Sequence, residues 1–275
     1  MYKNIGLALT FSPTGKALLK EAERIANLFK SKLFLIHIGK KDDAIIAQLN
    51  MFISDSGFES KFEIIWADGD PAKEILKASE YHKISLLIVG ALEKESFIKY
   101  YVGSVARKIM RKASCNVIVL KAPSQEPKPF KKFYVSTEFT PEGEKTIKTA
   151  YLFALMEEAD EFVIIKDFYI PGFASALQEL DSLNELENTR IEMQNDEEMK
   201  LKLFVNELNL KGVPIKTVSL YGKEGWESSN YARLNSADIY CITSPAGKLN
   251  LIDRIFPHEA EYTFEHLPSN LLIVR

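Results

Sequence analysis

Short apolar runs alternate with amphipathic stretches along the first half of the chain. Apolar runs at residues 5–9, 32–38, 62–66, 86–89 and 116–120 predict buried strands. Between them, apolar positions recur at helical spacing over residues 15–30, 42–54, 71–78 and 103–112. Strands that alternate with helices connect by right-handed crossovers into a parallel sheet with helices on its faces. The pattern therefore predicts an α/β domain.

The same pattern returns in the second half. The segment Phe11-Ser12-Pro13-Thr14-Gly15 recurs as Phe139-Thr140-Pro141-Glu142-Gly143, an offset of 128 residues (139 minus 11). At that offset residues 33–37 fall on residues 161–165. Near the end of the chain, residues 115–121 match residues 269–275 at an offset of 154 (269 minus 115), which places Gly90 on Ser244. An internal repeat of this kind predicts two copies of one domain.

The repeat sets the predicted domain boundaries. We expect a first domain over residues 1–122, a Pro-rich linker over residues 123–130 and a second domain over residues 131–275. The two offsets differ by 26 residues, which predicts a helical insertion around residues 170–200.

Two apolar stripes can be drawn on that insertion. They comprise Leu177, Leu180, Leu183, Leu186 and Ile191, followed by Met199, Leu203, Phe204 and Leu208. Such stripes face either the protein's own sheet or a partner surface.

Composition narrows the class of protein. Hydrophobic residues make up 46%, charged residues 27%, and the formal net charge is −3, which gives no reason to expect binding to nucleic acid or to an anionic membrane. No apolar run approaches the roughly 20 residues that span a bilayer. The first residues enter a strand directly, so no signal peptide is expected.

Cys115 and Cys241 lie in apolar contexts without metal spacing, which indicates buried thiols in a reducing cytoplasm.

One motif joins a strand to a helix through two glycines. Gly90 ends an apolar strand, and Gly103-Ser104 opens an amphipathic helix. Glycines allow the backbone to approach a ligand, and the free N–H groups of a helix start, such as those of Ser104 and Val105, attract phosphate. Ser104 is also expected to cap the helix. Glu93, inside the loop, places a carboxylate where a polyphosphate would be repelled.

The spacing Gly90-x2-Glu93-x9-Gly103-Ser104 resembles the nucleotide-binding signature of the universal stress protein family, Gly-x2-Gly-x9-Gly-Ser/Thr. Glu93 replaces the middle glycine. Thr10 stands where nucleotide-binding members usually have an aspartate, and Glu138 holds that place in the second half. The resemblance implies two tandem, doubly wound, Rossmann-like domains, each with an open five-stranded parallel sheet and helices on both faces. It also implies ATP as the ligand, with the following residues at the site: Thr10, Gly90, Glu93, Gly103, Ser104 and Val105.

The resemblance supports two functional hypotheses. In the first, the chain is a cytoplasmic, non-catalytic stress-response protein in which ATP bound to the first domain acts as a regulatory switch. In the second, the nucleotide loops are degenerate and the chain is a ligand-free scaffold that engages an unidentified protein through the insertion. Under either hypothesis the two domains form an intramolecular pseudo-dimer through strands 116–120 and 270–274, and pairing of two whole chains is left open. No nucleophile–base set indicates an enzyme.

The remaining polar residues give weaker indications of a binding or metal site. The second-half loop is Ser244-x2-Gly247-x9-Pro257-His258, and Pro257 has no N–H to offer a phosphate. His258 and His266 are too far apart for a helical zinc site, so no metal is expected. His37 ends a buried strand, where a hydrogen-bonded histidine is expected, although such a residue also could border a base-binding pocket.

Overall fold

The computed structural model describes residues 1–94, 99–169, 183–244, 263 and 266–275, with side chains except those of residues 93–94, 99–101 and 183–187. The elements of the first half are β1 Asn4–Ala8, α1 Gly15–Phe29, β2 Lys32–Ile38, α2 Asp43–Asp55, β3 Phe62–Ala67, α3 Pro71–Tyr81, β4 Leu86–Gly90, β5 Leu92–Lys94, β6 Lys99–Tyr101, α4 Ser104–Lys112 and β7 Asn116–Leu120. Every element predicted in this half is confirmed. The β5–β6 hairpin was not predicted, because its three-residue strands are too short to show a periodicity.

The second half repeats this order. Its elements are β8 Lys132–Ser136, α5 Pro141–Met156, β9 Glu161–Phe168, α6 Leu183–Glu207, β10 Ile215–Tyr221, α7 Trp226–Leu234, β11 Ile239–Thr243 and β12 Asn270–Val274. Helix α7 was missed by the sequence analysis. The residues it buries are Ser228, Ser229 and Ala232, and such small or polar residues leave no apolar stripe to detect.

All main strands join one sheet of ten strands. Its order is β10-β9-β8-β11-β12-β7-β4-β1-β2-β3, so each half contributes five neighbouring strands. Strands within each half pair in parallel, whereas β7 and β12 pair antiparallel, with Ile118 opposite Leu272. The predicted tandem α/β fold and the junction through the last strands are confirmed. The domain boundaries stay a prediction.

Burial on both faces explains the continuous apolar runs of the strands. In β4, Leu86 and Ile88 belong to the hydrophobic core on one face, and Leu87 and Val89 belong to the core on the other. Helices α1, α2, α5 and α6 cover the first face, and α3, α4 and α7 cover the second. In each half, the carboxyl ends of the strands form an edge where loops from both faces meet. Because β7 and β12 pair antiparallel, these two edges lie on opposite sides of the ten-stranded sheet.

The pairing register corrects the repeat at its second strand. Ile5 pairs with Leu33, and its counterpart Phe133 pairs with Phe162. Leu33 therefore corresponds to Phe162, an offset of 129 (162 minus 33), and the predicted match of residue 33 with residue 161 is wrong by one. The turn after α1, in which Ser31 N donates to Ala26 O, still matches the turn in which Ala159 N donates to Ala154 O at an offset of 128 (159 minus 31). The extra residue of the second half is therefore Asp160, between this turn and β9.

The register also corrects the match at Gly90. Ile5 pairs with Leu86, and Phe133 pairs with Ile239, so the offset at this strand is 153 (239 minus 86). Gly90 therefore corresponds to Thr243, and Ser244 corresponds to Ala91. The predicted match of Gly90 with Ser244 is wrong by one residue, because the extra residue of the second half enters after β11 and before β12.

The insertion contributes to the protein's own core. Leu201 and Val205 of α6 are buried in the core of the first face. Met199 and Leu203 are 62% and 60% exposed, so the stripe predicted through them is wrong. Gln194 Nε2 donates to the Ser219 carbonyl of β10 at 3.0 Å. The helix thus covers its own sheet, one of the two alternatives. Leu177 and Leu180 lie outside the described residues, as do the side chains of Leu183 and Leu186.

Two sequence expectations concern the whole chain. Cys115 and Cys241 are free and buried, as expected. Within the described ranges, no helix combines the length and apolar character needed to cross a membrane.

Candidate functional site

A cleft of about 330 Å³ lies in the first half, at the carboxyl ends of β1, β2 and β4. Helices α1, α3 and α4 close its sides. Its lining is mainly aliphatic, with several hydroxyl groups and two glycines: Ala8, Leu9, Thr10, Ser12, Thr14, Leu18, Ile36, Ile38, Pro71, Ile75, Val89, Gly90, Ala91, Leu92, Gly103, Ser104, Val105, Ala106 and Ile109. The geometry suits a ligand with an apolar body and a polar end.

Five of the six predicted site residues meet in this cleft. They are Thr10, Gly90, Gly103, Ser104 and Val105. Glu93 lies in β5, where its backbone pairs with that of Tyr100, and its side chain lies outside the described part of the structure. The structure brings these residues together, and their contact with a ligand stays a prediction.

The amino end of α4 opens into the cleft. Gly103 is the N-cap residue in extended conformation, and no side chain caps the helix, so the prediction that Ser104 caps it is wrong. The first backbone bond of the helix runs from Arg107 N to Gly103 O at 2.9 Å. The N–H groups of Ser104, Val105 and Ala106 therefore precede the helical bonding pattern and carry the positive end of the helix dipole.

The neighbouring helices are capped differently. The Asp42 side chain accepts from Ile45 N at the start of α2, and Asp70 accepts from Lys73 N at the start of α3. These carboxylates occupy the positive ends of their helices. Helix α1 has no side-chain cap at its N-cap residue Thr14 either, so of the described helices that meet the cleft, α1 and α4 both have amino ends without a capping side chain.

Packing accounts for both glycines. A Cβ atom on Gly90 would lie 2.7 Å from Leu18 Cδ1, and one on Gly103 would lie 2.6 Å from Leu92 Cδ1. Both distances are shorter than Cβ contacts allow. Each added Cβ would meet the terminal methyl of a leucine, which would have to shift to admit it. Packing therefore favours glycine at both positions with or without a ligand, and the motif alone does not distinguish binding from structure.

Charge lies at the rim of the cleft. None of the described lining residues carries a charged side chain. Lys108 Nζ lies 3.4 Å from Asp70 Oδ2 outside it, and both side chains are at least half exposed. Lys94 and Lys99, which could neutralise phosphate, have side chains outside the described part of the structure.

His37 is held in a buried aromatic cluster. Its Nδ1 lies 3.3 Å from the Leu9 carbonyl, and its ring packs against Phe11 and Trp66 with centroids 5.1 and 5.0 Å away. His37 does not line the cleft. The expectation of a hydrogen-bonded strand-end histidine is confirmed.

Sequence reasoning missed the aliphatic part of the lining. Leu18, Ile36, Ile38 and Ile75 look like core positions in the sequence. They line the cleft because they lie at the ends of strands and on the first turns of helices. Nothing local in the sequence separates such positions from core residues that lie deeper.

The second half fills the corresponding place with its own groups. Lys166, the counterpart of His37, forms an ion pair of 2.8 Å with Glu138. Asp167, the counterpart of Ile38, accepts from Gly225 N at 2.7 Å and from Ser228 Oγ at 2.8 Å. Burial raises the pKa of Asp167 to about 6, although the bonds from Ser228 and Gly225 oppose the shift.

A hydroxyl pair replaces the contact of Leu18 with Gly90. Their counterparts Thr146 and Thr243 face each other with Oγ1 atoms 2.8 Å apart. The second-half loop, in which no phosphate binding is predicted, lies outside the described residues at Gly247, Pro257 and His258. In the part of the chain that is described, no group of three or more His, Cys, Asp or Glu side chains could hold a metal ion.

Comparisons with known proteins agree with the fold and with part of the sequence. Residues 54–121 match the model of the universal stress protein family. Universal stress protein MJ0531 of Methanocaldococcus jannaschii is 24% identical over 146 residues, which cover 46% of this chain and 86% of that protein.

Two solved structures resemble the whole chain. A universal stress protein from Archaeoglobus fulgidus DSM 4304 has a TM-score of 0.68 at 16% identity and covers 98% of each chain. A protein of unknown function from Pseudomonas aeruginosa PAO1 has a TM-score of 0.66 at 18% identity, over 99% of this chain and 92% of that chain. At such identities the likeness concerns the fold alone.

Proposed function

The chain belongs to the universal stress protein family, and from that premise we propose that its first half binds a nucleotide in the cleft and acts as a regulatory switch in a cytoplasmic stress response. ATP is the nucleotide that the family resemblance implies. Binding would hold Gly90, Gly103 and the amino end of α4 in one arrangement and thereby shift the population of one surface conformation.

The uncapped amino end of α4 is the observation that carries this proposal. The N–H groups of Ser104 and Val105 would hold a phosphate. The hydroxyls of Thr10 and Ser12 would bond to the ribose or to a second phosphate, and the aliphatic part of the cleft would contact the base. These contacts use residues that line a single cavity.

Ser104→Asp tests the phosphate contact without endangering the fold. A carboxylate at the first position of α4 favours the helix through its dipole but repels phosphate. We expect calorimetry to show nucleotide affinity at least about tenfold weaker, or about 1.4 kcal/mol, with an unchanged or higher melting temperature. Ser104→Asn, which keeps the size and removes the charge, is the matched control.

The measurement begins with the protein as purified. Small molecules released by denaturation are separated by anion exchange and weighed, and ATP is then titrated with and without Mg²⁺. Equal affinity in Ser104→Asp and Ser104→Asn would contradict phosphate binding at α4. The absence of both retained nucleotide and binding heat would contradict nucleotide binding by this half.

A scaffold function is favoured by one observation on α6. Met199 and Leu203, one helical turn apart, expose more than half of their surface. Deleting the helix would also remove Leu201 and Val205 from the core, so the cleaner test is the double substitution of Met199 and Leu203 by Lys. A partner that co-purifies with the wild type should be lost from this variant. Its retention would argue against binding through α6.

A further inference from the structure

Acidic residues of the second half stand where the first half has uncharged residues of the cleft. By the strand and turn registers, the counterparts are Glu138 for Thr10, Glu142 for Thr14, Asp167 for Ile38 and Glu224 for Pro71. All four first-half residues line the cleft. The carboxyl ends of the strands are therefore lined by uncharged residues in the first half and carry acidic residues in the second.

The turns after α3 and α7 fix the last of these matches. Ile84 N donates to Ser79 O, and Ala237 N donates to Ala232 O, both across a residue with positive φ. The offset is 153 (237 minus 84), the same as for the strands that follow. Pro71 and Glu224 therefore occupy corresponding positions at the entrances of α3 and α7.

Glu138 pairs with a buried ammonium and is also influenced by further carboxylates. Lys166 Nζ lies 2.8 Å from Glu138 Oε2, and its side chain is 8% exposed. Partial burial raises the pKa of Glu138, Lys166 lowers it, and like charges on Glu224 and Glu197 raise it further. Those two carboxylates are thus close enough to repel Glu138. Lys223, on the same turn as Glu224, is exposed.

Asp167 adds a buried oxygen that lacks a donor. The residue is 2% exposed, and its Oδ2 accepts from Gly225 N and Ser228 Oγ. Among the described residues, its buried Oδ1 has no hydrogen-bond partner, and the same holds for the Oγ of Ser244. Ser244 corresponds to Ala91, another residue of the cleft lining. An unpartnered buried carboxylate oxygen is costly, so a donor is expected there.

We propose that the second half binds a small organic cation, an aliphatic polyamine, at the carboxyl ends of β8 and β9. Ammonium groups spaced along an aliphatic chain can each meet a different carboxylate, Glu138, Glu197 or Glu224, and one N–H can donate to Asp167 Oδ1. Within the described ranges the acidic side chains do not converge on a single point as metal ligands must. The site is separate from the nucleotide cleft of the first half and does not depend on it.

Calorimetry of the full chain with spermidine tests this site. The titration is run at about 50 mM salt, where charge interactions are weakly screened, and is repeated with MgCl₂ at matched ionic strength. Glu138→Gln combined with Glu224→Gln should weaken spermidine binding by about tenfold or more. Glu144→Gln removes a carboxylate from the same half, at a surface pair with Lys148, and should leave the affinity unchanged.

Three results would overturn the proposal. They are the absence of spermidine binding by the wild type, equal weakening by Glu144→Gln, and binding of Mg²⁺ without binding of spermidine. Ser104→Asp should bind spermidine as the wild type does, so failure of the nucleotide proposal leaves this test intact.

Hydrogen exchange of the wild-type chain provides a second measurement that needs no variant. Spermidine should slow exchange at residues 222–228, next to Asp167, and leave the first half unchanged. Protection confined to other regions would contradict the assigned position.

Discussion

Arg24 of α1 donates two hydrogen bonds, of 2.7 and 2.8 Å, to the carboxylate of Glu157 in the other half of the chain. Its Nε also donates to Glu21 at 3.2 Å, and its guanidinium lies over the Phe130 ring, 4.6 Å from the centroid. One cation therefore serves two largely buried carboxylates where the halves meet. It adds a polar contact beside the antiparallel junction of β7 and β12.

Arg24→Met should destabilise the chain strongly. The side chain of Glu157 is only 1% exposed, and loss of one partner of a buried pair leaves an uncompensated charge, at a cost of about 3–5 kcal/mol. Replacing Glu157 by Met as well should recover much of the loss. Urea denaturation of the two single variants and the double variant measures the coupling.

The surface pair of Lys32 and Glu63 provides the control for that experiment. Its side chains are 53% and 51% exposed, so Lys32→Met should cost no more than about 1 kcal/mol. A loss in Arg24→Met as small as that of Lys32→Met would show that the junction does not depend on this pair.

The free energy of unfolding should fall as pH rises through about 6. The pKa of Asp167 is raised from its ordinary 3.8 to about 6 by burial, so the folded chain keeps a proton that the unfolded chain has lost. Below the pKa of the unfolded state, this proton contributes up to about 3 kcal/mol to the free energy of unfolding, and the contribution is lost above the pKa of the folded state. Burial also raises the pKa values of Glu21 and Glu157, which changes stability with the same sign.

Asp167→Asn isolates the contribution of this residue. Urea denaturation between pH 4.5 and about 8 should give a smaller dependence on pH for Asp167→Asn than for the wild type. Identical slopes in the two proteins would mean that Asp167 titrates near its ordinary pKa in the folded chain.

Gly90→Ala should destabilise the first half by about 1–3 kcal/mol through overpacking against Leu18. The combination of Gly90→Ala with Leu18→Val should recover part of the loss, because the contact comes from the Leu18 Cδ1 methyl. Gly39→Ala is the control, since its Cβ would meet His37 Nε2 at an ordinary 3.5 Å. Thermal denaturation measures the relative stabilities of these variants. Equal effects of Gly90→Ala and Gly39→Ala would contradict the prediction.

Cleavage within the linker should leave the two halves associated. Residues 124–126 are exposed, so a protease site placed there should be cut in the native state. Antiparallel pairing of β7 with β12 and the Arg24–Glu157 bonds should then hold the fragments together in size-exclusion chromatography and native mass spectrometry. Separation of the fragments without denaturant would show that the covalent linker is required. The experiment also tests the predicted domain boundary.

Much of the fold was predictable because each strand carries its own signal. Strands buried on both faces, such as β4 and β7, form apolar runs that are visible without any partner. The α7 helix carried no such signal, since it buries two serines, of which Ser228 bonds to the Asp167 carboxylate, rather than an apolar stripe. The predicted apolar stripe of α6 is wrong at Met199 and Leu203. The apolar residues of this segment fit two neighbouring helix faces, and the sequence alone does not show which face is buried.

The candidate site was predictable only in part. The glycine motif located Gly90, Gly103 and Ser104 at one edge of the sheet. The aliphatic lining and the uncapped end of α4 were not predicted, because they depend on how side chains from separate elements are placed in the folded chain. The predicted offsets at the second strand and at Gly90 were each one residue in error, because a single extra residue in a turn, such as Asp160, becomes visible only through strand pairing.

The sequence by itself determined the tandem α/β architecture and the place of the glycine loop, because local periodicity and the internal repeat depend only on order along the chain. The tertiary structure decided that Gly90 and Gly103 are favoured by their packing against Leu18 and Leu92. It also decided that acidic side chains of the second half correspond to uncharged residues of the cleft. Both results depend on side chains far apart in sequence, whose distances exist only once the strands have paired and the helices have packed.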